Sequence, residues 1–331
     1  MTLRTHAIGR QGLTASVEGL GTFGLTAAYG TPDDAESTAT IHRALDLGVT
    51  MFDTADFYGL GNAERLLGRA LAGRRDEAVI ATKVGGRTFD DEDRIVGPAN
   101  GQPAYLRIAV ERSLRRLGVD HIDLLYLHRV DPAVPVEETF GALGELVAEG
   151  TVGYLGISEA SPASIRRAHA AAPLSAVQTE YSLFSRDVEA NGVLATTRDL
   201  GVGFVAYSPL GRGFLSGTIR SLADVPDGDF RRTWPRMADG NLERNLVLVD
   251  RIRAVADREG VSPAQLALAW VMERGITAIP GTKRRTYLEA NVAAAGIELT
   301  PALLAELSEA VPVGAAAGAR YTPEGMAAIE E

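Results

Sequence analysis

Along this chain, short apolar runs of five to seven residues alternate with longer stretches in which apolar positions recur every three or four residues. The runs are "VEGLG" (17–21), "TMFDTA" (50–55), "AVIATKV" (78–84), "IDLLYLH" (122–128), "VGYLGIS" (152–158), "AVQTEY" (176–181), "VGFVAYS" (202–208) and "ITAIPG" (276–281), eight in all. Such near-continuous runs are the pattern of strands covered on both faces. Between them, "PAYLRIAVERSLRRLG" sets Leu106, Val110, Leu114 and Leu117 on one helical face, with Pro103 suited to its first turn and Gly118 to its end. "SPAQLALAWVMERG" repeats the formula, with Ser262 as N-cap, Pro263 at the first helical position and Gly275 after the last turn. Eight strand-then-helix units predict an α/β fold, a closed (β/α)8 TIM barrel rather than an open sheet. An N-terminal β-hairpin is expected before the first unit, from "LRTHAI" and "LTASVEGL" joined by "GRQG".

No linker rich in Pro, Gly or Ser divides the chain, so residues 1–331 read as one barrel domain. Two segments break the rhythm. Leu210 to Asn241, containing "SLADVPDGDFRRTWPRMADG", is expected as a long loop at the C-terminal mouth. The tail after Leu307, with its Ala and Gly content, reads as either a flap or a flexible end.

Composition narrows the function classes. A formal charge of −10 argues against a general nucleic-acid or anionic-membrane surface, both of which want clustered Lys and Arg. The absence of cysteine removes disulfides, thiolate metal sites and cysteine nucleophiles, and suits a reducing cytoplasm. No stretch approaches the roughly 20 apolar residues of a membrane helix, and residues 1–24 lack a signal-peptide pattern. The histidines at 6, 42, 121, 128 and 169 show no ligand spacing, so no metal site is expected.

"GLGTFG", Gly19 to Gly24, matches the dinucleotide fingerprint G-x-G-x-x-G letter for letter. That fingerprint needs a helix to begin inside the glycine run. Here "LTAAYGTPDD" intervenes, with Gly30 and Pro32 favouring a loop until about Asp33. A loop at a barrel mouth is the expectation instead.

In a (β/α)8 barrel the C-terminal strand ends surround one mouth, so residues distant in sequence meet there. Read in order, those ends supply Asp53 and Tyr58, Lys83, His128, Ser158 and Glu159, Gln178, Tyr207 and Ser208, and finally "PGTKRR". Each has a structural explanation when taken alone: a capping aspartate, a rim tyrosine, a snorkelling lysine, a satisfied histidine. Their coincidence at successive ends suits proton donation to a carbonyl oxygen as hydride reaches its carbon. Tyrosine, with a pKa of about 10, needs help to exchange a proton near neutrality. A lysine cation beside Tyr58 is expected to lower its pKa, Asp53 to hold that lysine, and His128 to orient the carbonyl.

The segments "FDTADFYG", "ATKVG", "LYLHRVD", "GYLGISEAS", "QTEYSL", "YSPLGRGFLSG" and "IPGTKRRTYLEAN" together resemble the aldo-keto reductase superfamily, in order and across nearly the whole chain. The likeness is to its bacterial and plant oxidoreductase branch, related to potassium-channel β subunits. It implies a catalytic tetrad of Asp53, Tyr58, Lys83 and His128, and NADP(H) bound extended across the mouth without a Rossmann fold. Gly21 and Thr22 would approach the cofactor from the first loop. Ser158, Glu159 and Gln178 would surround the carboxamide, and Tyr207 would stack on the nicotinamide. Ser208, Pro209, Leu210 and Arg212 would follow the pyrophosphate. At the far end, Gly281, Thr282, Lys283 and Arg284 would meet the 2′-phosphate, and Asn291 the adenine.

"GTKRR" also opens a helix, whose N-terminal amides favour a phosphate independently of the resemblance. Two departures stand out: much of the superfamily has Asn where Glu159 stands, and Ala290 replaces an adenine-binding acid or amide, with Glu289 as a substitute. Phe23, Tyr29, Phe57, Phe89, Phe230 and Trp234 are the loop aromatics available for substrate selection. The expected function is NADPH-dependent reduction of an aldehyde or ketone, the partner being a small-molecule carbonyl. The alternative is a nucleotide-binding redox-sensing module with little turnover. A homo-oligomer remains open.

Overall fold

The structure, a computed structural model, describes residues 3–238 and 240–330. The N-terminal hairpin pairs Thr5–Ala7 antiparallel with Thr14–Ser16. After it come eight parallel strands: β1 (Leu20–Gly21), β2 (Met51–Asp53), β3 (Val79–Val84), β4 (Ile122–Leu127), β5 (Val152–Ser158), β6 (Leu174–Glu180), β7 (Gly203–Tyr207) and β8 (Thr277–Ile279). They pair in sequence order, and parallel bridges from Glu18 to Ala278 and from Gly21 to Gly281 bring β1 back to β8. The sheet is thereby a nearly closed barrel with helices around it, a (β/α)8 fold.

Side chains two residues apart share a strand face, and this places the chemistry. Met51, Ala81, Ala176 and Val205 form a small apolar core inside the barrel with Leu124, Tyr126 and Ile279, capped from below by Ile8, Leu13 and Ala15 of the hairpin. Two residues further along the same strands stand Asp53, Lys83, Gln178 and Tyr207. An apolar floor therefore supports a polar mouth. The opposite faces, including Phe52, Ile80, Leu125, Ile157 and Val177, pack in the larger core beneath the helices.

The helix expected from Pro103 runs Pro103–Leu117 and ends on Gly118 at φ 67°, a left-handed position that glycine takes without a Cβ penalty. In Pro263–Met272, Ser262 and Gln265 form a reciprocal capping box.

The first strand is shorter than its sequence pattern suggests. A Cβ on Gly19 would lie 2.9 Å from the Met51 carbonyl oxygen, so this seam accepts only bare backbone, tied by Gly19 N–H to Ala278 O at 2.8 Å. After β1 come two 3-10 turns, and the first helix begins at Asp34 behind an Asp33 N-cap, so no helix starts within the glycine run. The long segment after β7 carries four 3-10 turns within Phe214–Met237 and buries Trp234. The tail is docked, as described below. Among the described residues, no helix is long and apolar enough to cross a membrane.

Candidate active site

Asp53 ends β2, Lys83 lies one residue before the end of β3, and His128 follows β4 directly. Lys83 Nζ donates to Asp53 Oδ1, to the Thr54 carbonyl at 2.8 Å and to the Tyr58 hydroxyl at 3.3 Å. Its side chain is fully buried, so its charge is meaningful only through these partners. The other Asp53 oxygen accepts from Gln178 Nε2 at 2.7 Å. Gln178, expected at the carboxamide, is here engaged with Asp53 and fixes its orientation. The His128 ring stacks on Phe57 at 4.8 Å and lies 6.0 Å from the Tyr58 ring. Its Nδ1 is buried without a hydrogen-bond partner among the described residues. The four residues expected to act together do meet.

Burial pushes the Tyr58 phenol well above its ordinary value, the Asp53 charge pushes the same way, and Arg129 opposes them. This differs from the sequence expectation of a lowered tyrosine. The lysine charge is engaged by Asp53, leaving the phenol firmly protonated at rest. Burial, together with Arg129, Lys83 and Arg87, pushes the His128 imidazole well below 6.5, so it is neutral near pH 7. For the buried pair, burial drives Asp53 up and Lys83 down while their attraction resists both. Both Asp56 carboxyl oxygens are buried without a hydrogen-bond partner among the described residues, and burial, reinforced by Glu64, raises its pKa well above the usual range.

The remaining candidates line the mouth unevenly. The Ser158 hydroxyl accepts from Arg129 at 3.3 Å, and the buried Thr22 hydroxyl has no partner among the described residues. Glu159, Ser208 and Arg212 hold φ of 51°, 49° and 56°, three of the five non-glycine residues with positive φ among the described residues. Left-handed backbone of this kind is unfavourable for side-chain-bearing residues and concentrates where a loop must aim them. Ser208, Pro209 and Leu210 form a tight turn, with the Gly211 amide bonded to the Ser208 carbonyl at 2.9 Å. The Arg212 guanidinium stacks on Tyr321 at 4.7 Å and on Trp234 at 4.9 Å, and lies 3.7 Å from Glu180.

At the far end Gly281 bridges to Gly21, and Thr282 Oγ1 accepts the Arg284 amide at 3.1 Å. Lys283 is not free: its ammonium donates to the carbonyls of Tyr29, Gly30 and Thr31 at 2.9, 3.1 and 3.0 Å. Arg285 pairs with Glu36, whereas Arg284 lies over Tyr287 and makes no ion pair among the described residues. Asn291 is buried on the helix Arg285–Ala293, and neighbouring Glu289 is held by Arg43 at 2.7 Å.

Aromatic rings wall one side. Phe23 lies 5.0 Å from Tyr58, 5.5 Å from Tyr29 and 6.0 Å from Phe230. Trp234 instead holds the tail, its indole N–H bonded to the Arg320 carbonyl at 2.9 Å.

That tail is what sequence reasoning missed. Arg320 donates to both oxygens of Glu159, at 2.9 and 3.1 Å, and the Tyr321 hydroxyl lies 2.6 Å from that of Tyr207. Glu159 Oε1 also accepts from Tyr207 at 2.8 Å and from the Glu180 amide at 3.0 Å. Glu159 is therefore the anchor of the C-terminal segment. Burial alone would raise its pKa, but the Arg320 charge and hydrogen bonds, with Arg129 and the Glu180 amide, hold it below the usual carboxylate range. The adjacent pair "RY" in an Ala- and Gly-rich tail was the only available signal.

The aldo/keto reductase family model matches residues 19–312. Among curated proteins, "Probable aldo-keto reductase 1" of Glycine max is 44% identical over 320 residues, 95% of this chain and 90% of the relative. Among solved structures, the glycerol dehydrogenase AKR11B4 from Gluconobacter oxydans superimposes with a TM-score of 0.82 at 32% identity, over 94% of this chain and 96% of its own. The chain belongs to the aldo/keto reductase family, oxidoreductases of carbonyl compounds that generally work with a nicotinamide cofactor.

Proposed function

We propose that this protein reduces aldehydes or ketones to alcohols with NADPH, Tyr58 giving the proton. The observation that carries the reading is one buried ammonium, Lys83 Nζ, bonded at once to Asp53, to the Thr54 carbonyl and to the Tyr58 hydroxyl. When bound across the mouth, the reduced nicotinamide supplies hydride to the carbonyl carbon. The Tyr58 phenol, protonated at rest, protonates the carbonyl oxygen. Negative charge left on the phenolate is met by Lys83 at 3.3 Å, which Asp53 keeps charged. His128, neutral, has one N–H to offer the same oxygen and so orients it. Proton donation of this kind contributes about 10² to 10⁴ in rate.

The residues present fit such a cofactor. Among the described residues Thr22 Oγ1 is a buried hydroxyl without a partner at the first loop and Arg284, over Tyr287 where a helix begins, makes no ion pair, while Ser158 and Tyr207 face the mouth. Arg284 is the feature that favours NADP(H) over NAD(H), because a 2′-phosphate would match its guanidinium. A cysteine-free composition suits the cytoplasm.

Reduction of an aldehyde with NADPH deuterated at its hydride position tests the reaction class. The expected product carries deuterium on the carbinol carbon. Unlabelled alcohol, or NADPH consumed without alcohol, would sink the proposal.

A further inference from the structure

Charge around the mouth does not cancel. Lys83 is matched by Asp53 and Arg320 by Glu159. Arg129, which directly follows His128, is left over: its NH1 donates to the His128 carbonyl at 2.7 Å and to the Ser158 hydroxyl at 3.3 Å, and it makes no ion pair among the described residues. It is partly buried, and its charge is felt at Tyr58, at His128 and at Glu159. Arg87, exposed beyond β3, adds positive charge at His128 and also makes no ion pair among the described residues. In a protein of net charge −10, two unmatched guanidiniums beside the carbonyl-orienting residue are a local inversion of sign. Glu159 acts on Arg129 only through space, and a partly desolvated cation with no carboxylate hydrogen-bonded to it among the described residues is costly unless an anion completes it. The planar guanidinium fork is suited to a carboxylate or phosphate.

We propose that the preferred carbonyl substrates of this site carry an anionic group, which Arg129 holds while the carbonyl oxygen lies between Tyr58 and His128. The proposal rests on the reductase reading above and narrows its substrate class. Phe23, Tyr29 and Phe230 pack together as an apolar wall beside Tyr58, so an oxo or formyl acid with a hydrophobic frame would suit both the rings and the guanidinium.

The test compares 4-formylbenzoate with its neutral isostere 4-formylbenzamide, and glyceraldehyde 3-phosphate with glyceraldehyde, in wild type, Arg129→Met and Arg129→Lys. Wild type should favour at least one anionic member by about 10- to 100-fold in kcat/KM, the scale of a charge-assisted hydrogen bond. The pair that shows it tells carboxylate from phosphate. Arg129→Met should bring that ratio close to one, and Arg129→Lys should keep part of it. Calorimetric binding of 4-formylbenzoate, 4-formylbenzamide and NADPH to the same proteins supplies a readout independent of turnover. Equal kcat/KM for charged and neutral members in wild type would overturn the proposal. So would an equal loss for both in Arg129→Met, or a loss of NADPH affinity with the ratio preserved, which would assign Arg129 to the cofactor. If neither aldehyde is reduced but Arg129-dependent anion binding persists, the reductase reading fails and the anion site stands.

Discussion

Glu159 and Arg320, 161 residues apart in the chain, form a two-point ion pair that pins the C-terminal segment across the barrel mouth. The pair joins the expected nicotinamide platform to the chain terminus, because Glu159 also bonds Tyr207 and Tyr207 meets Tyr321. Further along, Glu330 accepts the Ser161 amide at 2.9 Å, and Asn245 grips Ala317 through both its backbone groups. The tail is therefore part of the wall of the barrel mouth.

Arg320→Met should leave Glu159 buried without its cation. Breaking a buried pair in this way costs about 3–5 kcal/mol. Denaturant unfolding should report that loss, and limited proteolysis should cut the tail of the variant before any other segment. Undiminished stability together with a protected tail would refute the anchoring role. The pH dependence follows from the lowered Glu159 pKa. A depressed carboxylate contributes stability that is complete above its unfolded value and is lost as pH falls through the folded one. Tail release should therefore appear only on acidification below the ordinary carboxylate range, and should lose that pH dependence in Glu159→Gln.

Arg284 and Lys283 should separate. Arg284→Ala is expected to weaken NADPH binding while sparing NADH, by roughly 10-fold if one charge-assisted contact is lost. Lys283→Ala should instead loosen the Tyr29–Thr31 loop whose carbonyls it gathers, and so disturb both cofactors alike. Titration of each variant with both nucleotides by quenching of protein fluorescence decides this. Equal NADPH and NADH losses in Arg284→Ala would remove it from the 2′-phosphate.

Glu18 is buried at the β1–β8 seam with both carboxyl oxygens unpartnered among the described residues, and burial raises its pKa well above 4.5. Raising an acid's folded pKa makes stability fall as pH climbs from its unfolded value toward its folded one. Glu18→Gln should then stabilise the fold at neutral pH by on the order of 1–3 kcal/mol, seen as a higher thermal midpoint, and flatten the decline of that midpoint toward alkaline pH. A destabilised Glu18→Gln protein would mean that the carboxyl has a partner it needs.

Because His128 is held neutral, kcat/KM for reduction should show no inflection near 6.5. Its protonation, and the loss of function it brings, should appear only at lower pH. A break between about pH 6 and 7 that disappears in His128→Gln would contradict this assignment.

The barrel was legible because its strands are continuous apolar runs and its polar residues fall where those runs end. Asp53, Lys83 and Gln178 could be placed at one mouth because they fall at or near the C-terminal ends of such runs; that each follows an interior apolar residue by two positions is what the structure adds. What was not legible is partnership across long separations. Nothing near Lys283 announces that its donors are filled by carbonyls some 250 residues earlier, with sequence separations of 252 to 254. The role of Glu159 was hidden likewise, because its counter-ion lies in a tail whose Ala and Gly content gives no periodic signal. The raised Tyr58 pKa depends on burial, which the order of residues does not reveal.

The most direct test of the account is single-turnover reduction of an aldehyde by NADPH-saturated wild type and Tyr58→Phe, with NADPH affinity measured on both. Removing the hydroxyl that Lys83 contacts at 3.3 Å should leave nucleotide affinity nearly unchanged and slow the chemical step by about 10² to 10⁴. A Tyr58→Phe protein that reduces aldehyde at the wild-type rate would place the proton donor elsewhere and contradict the mechanism.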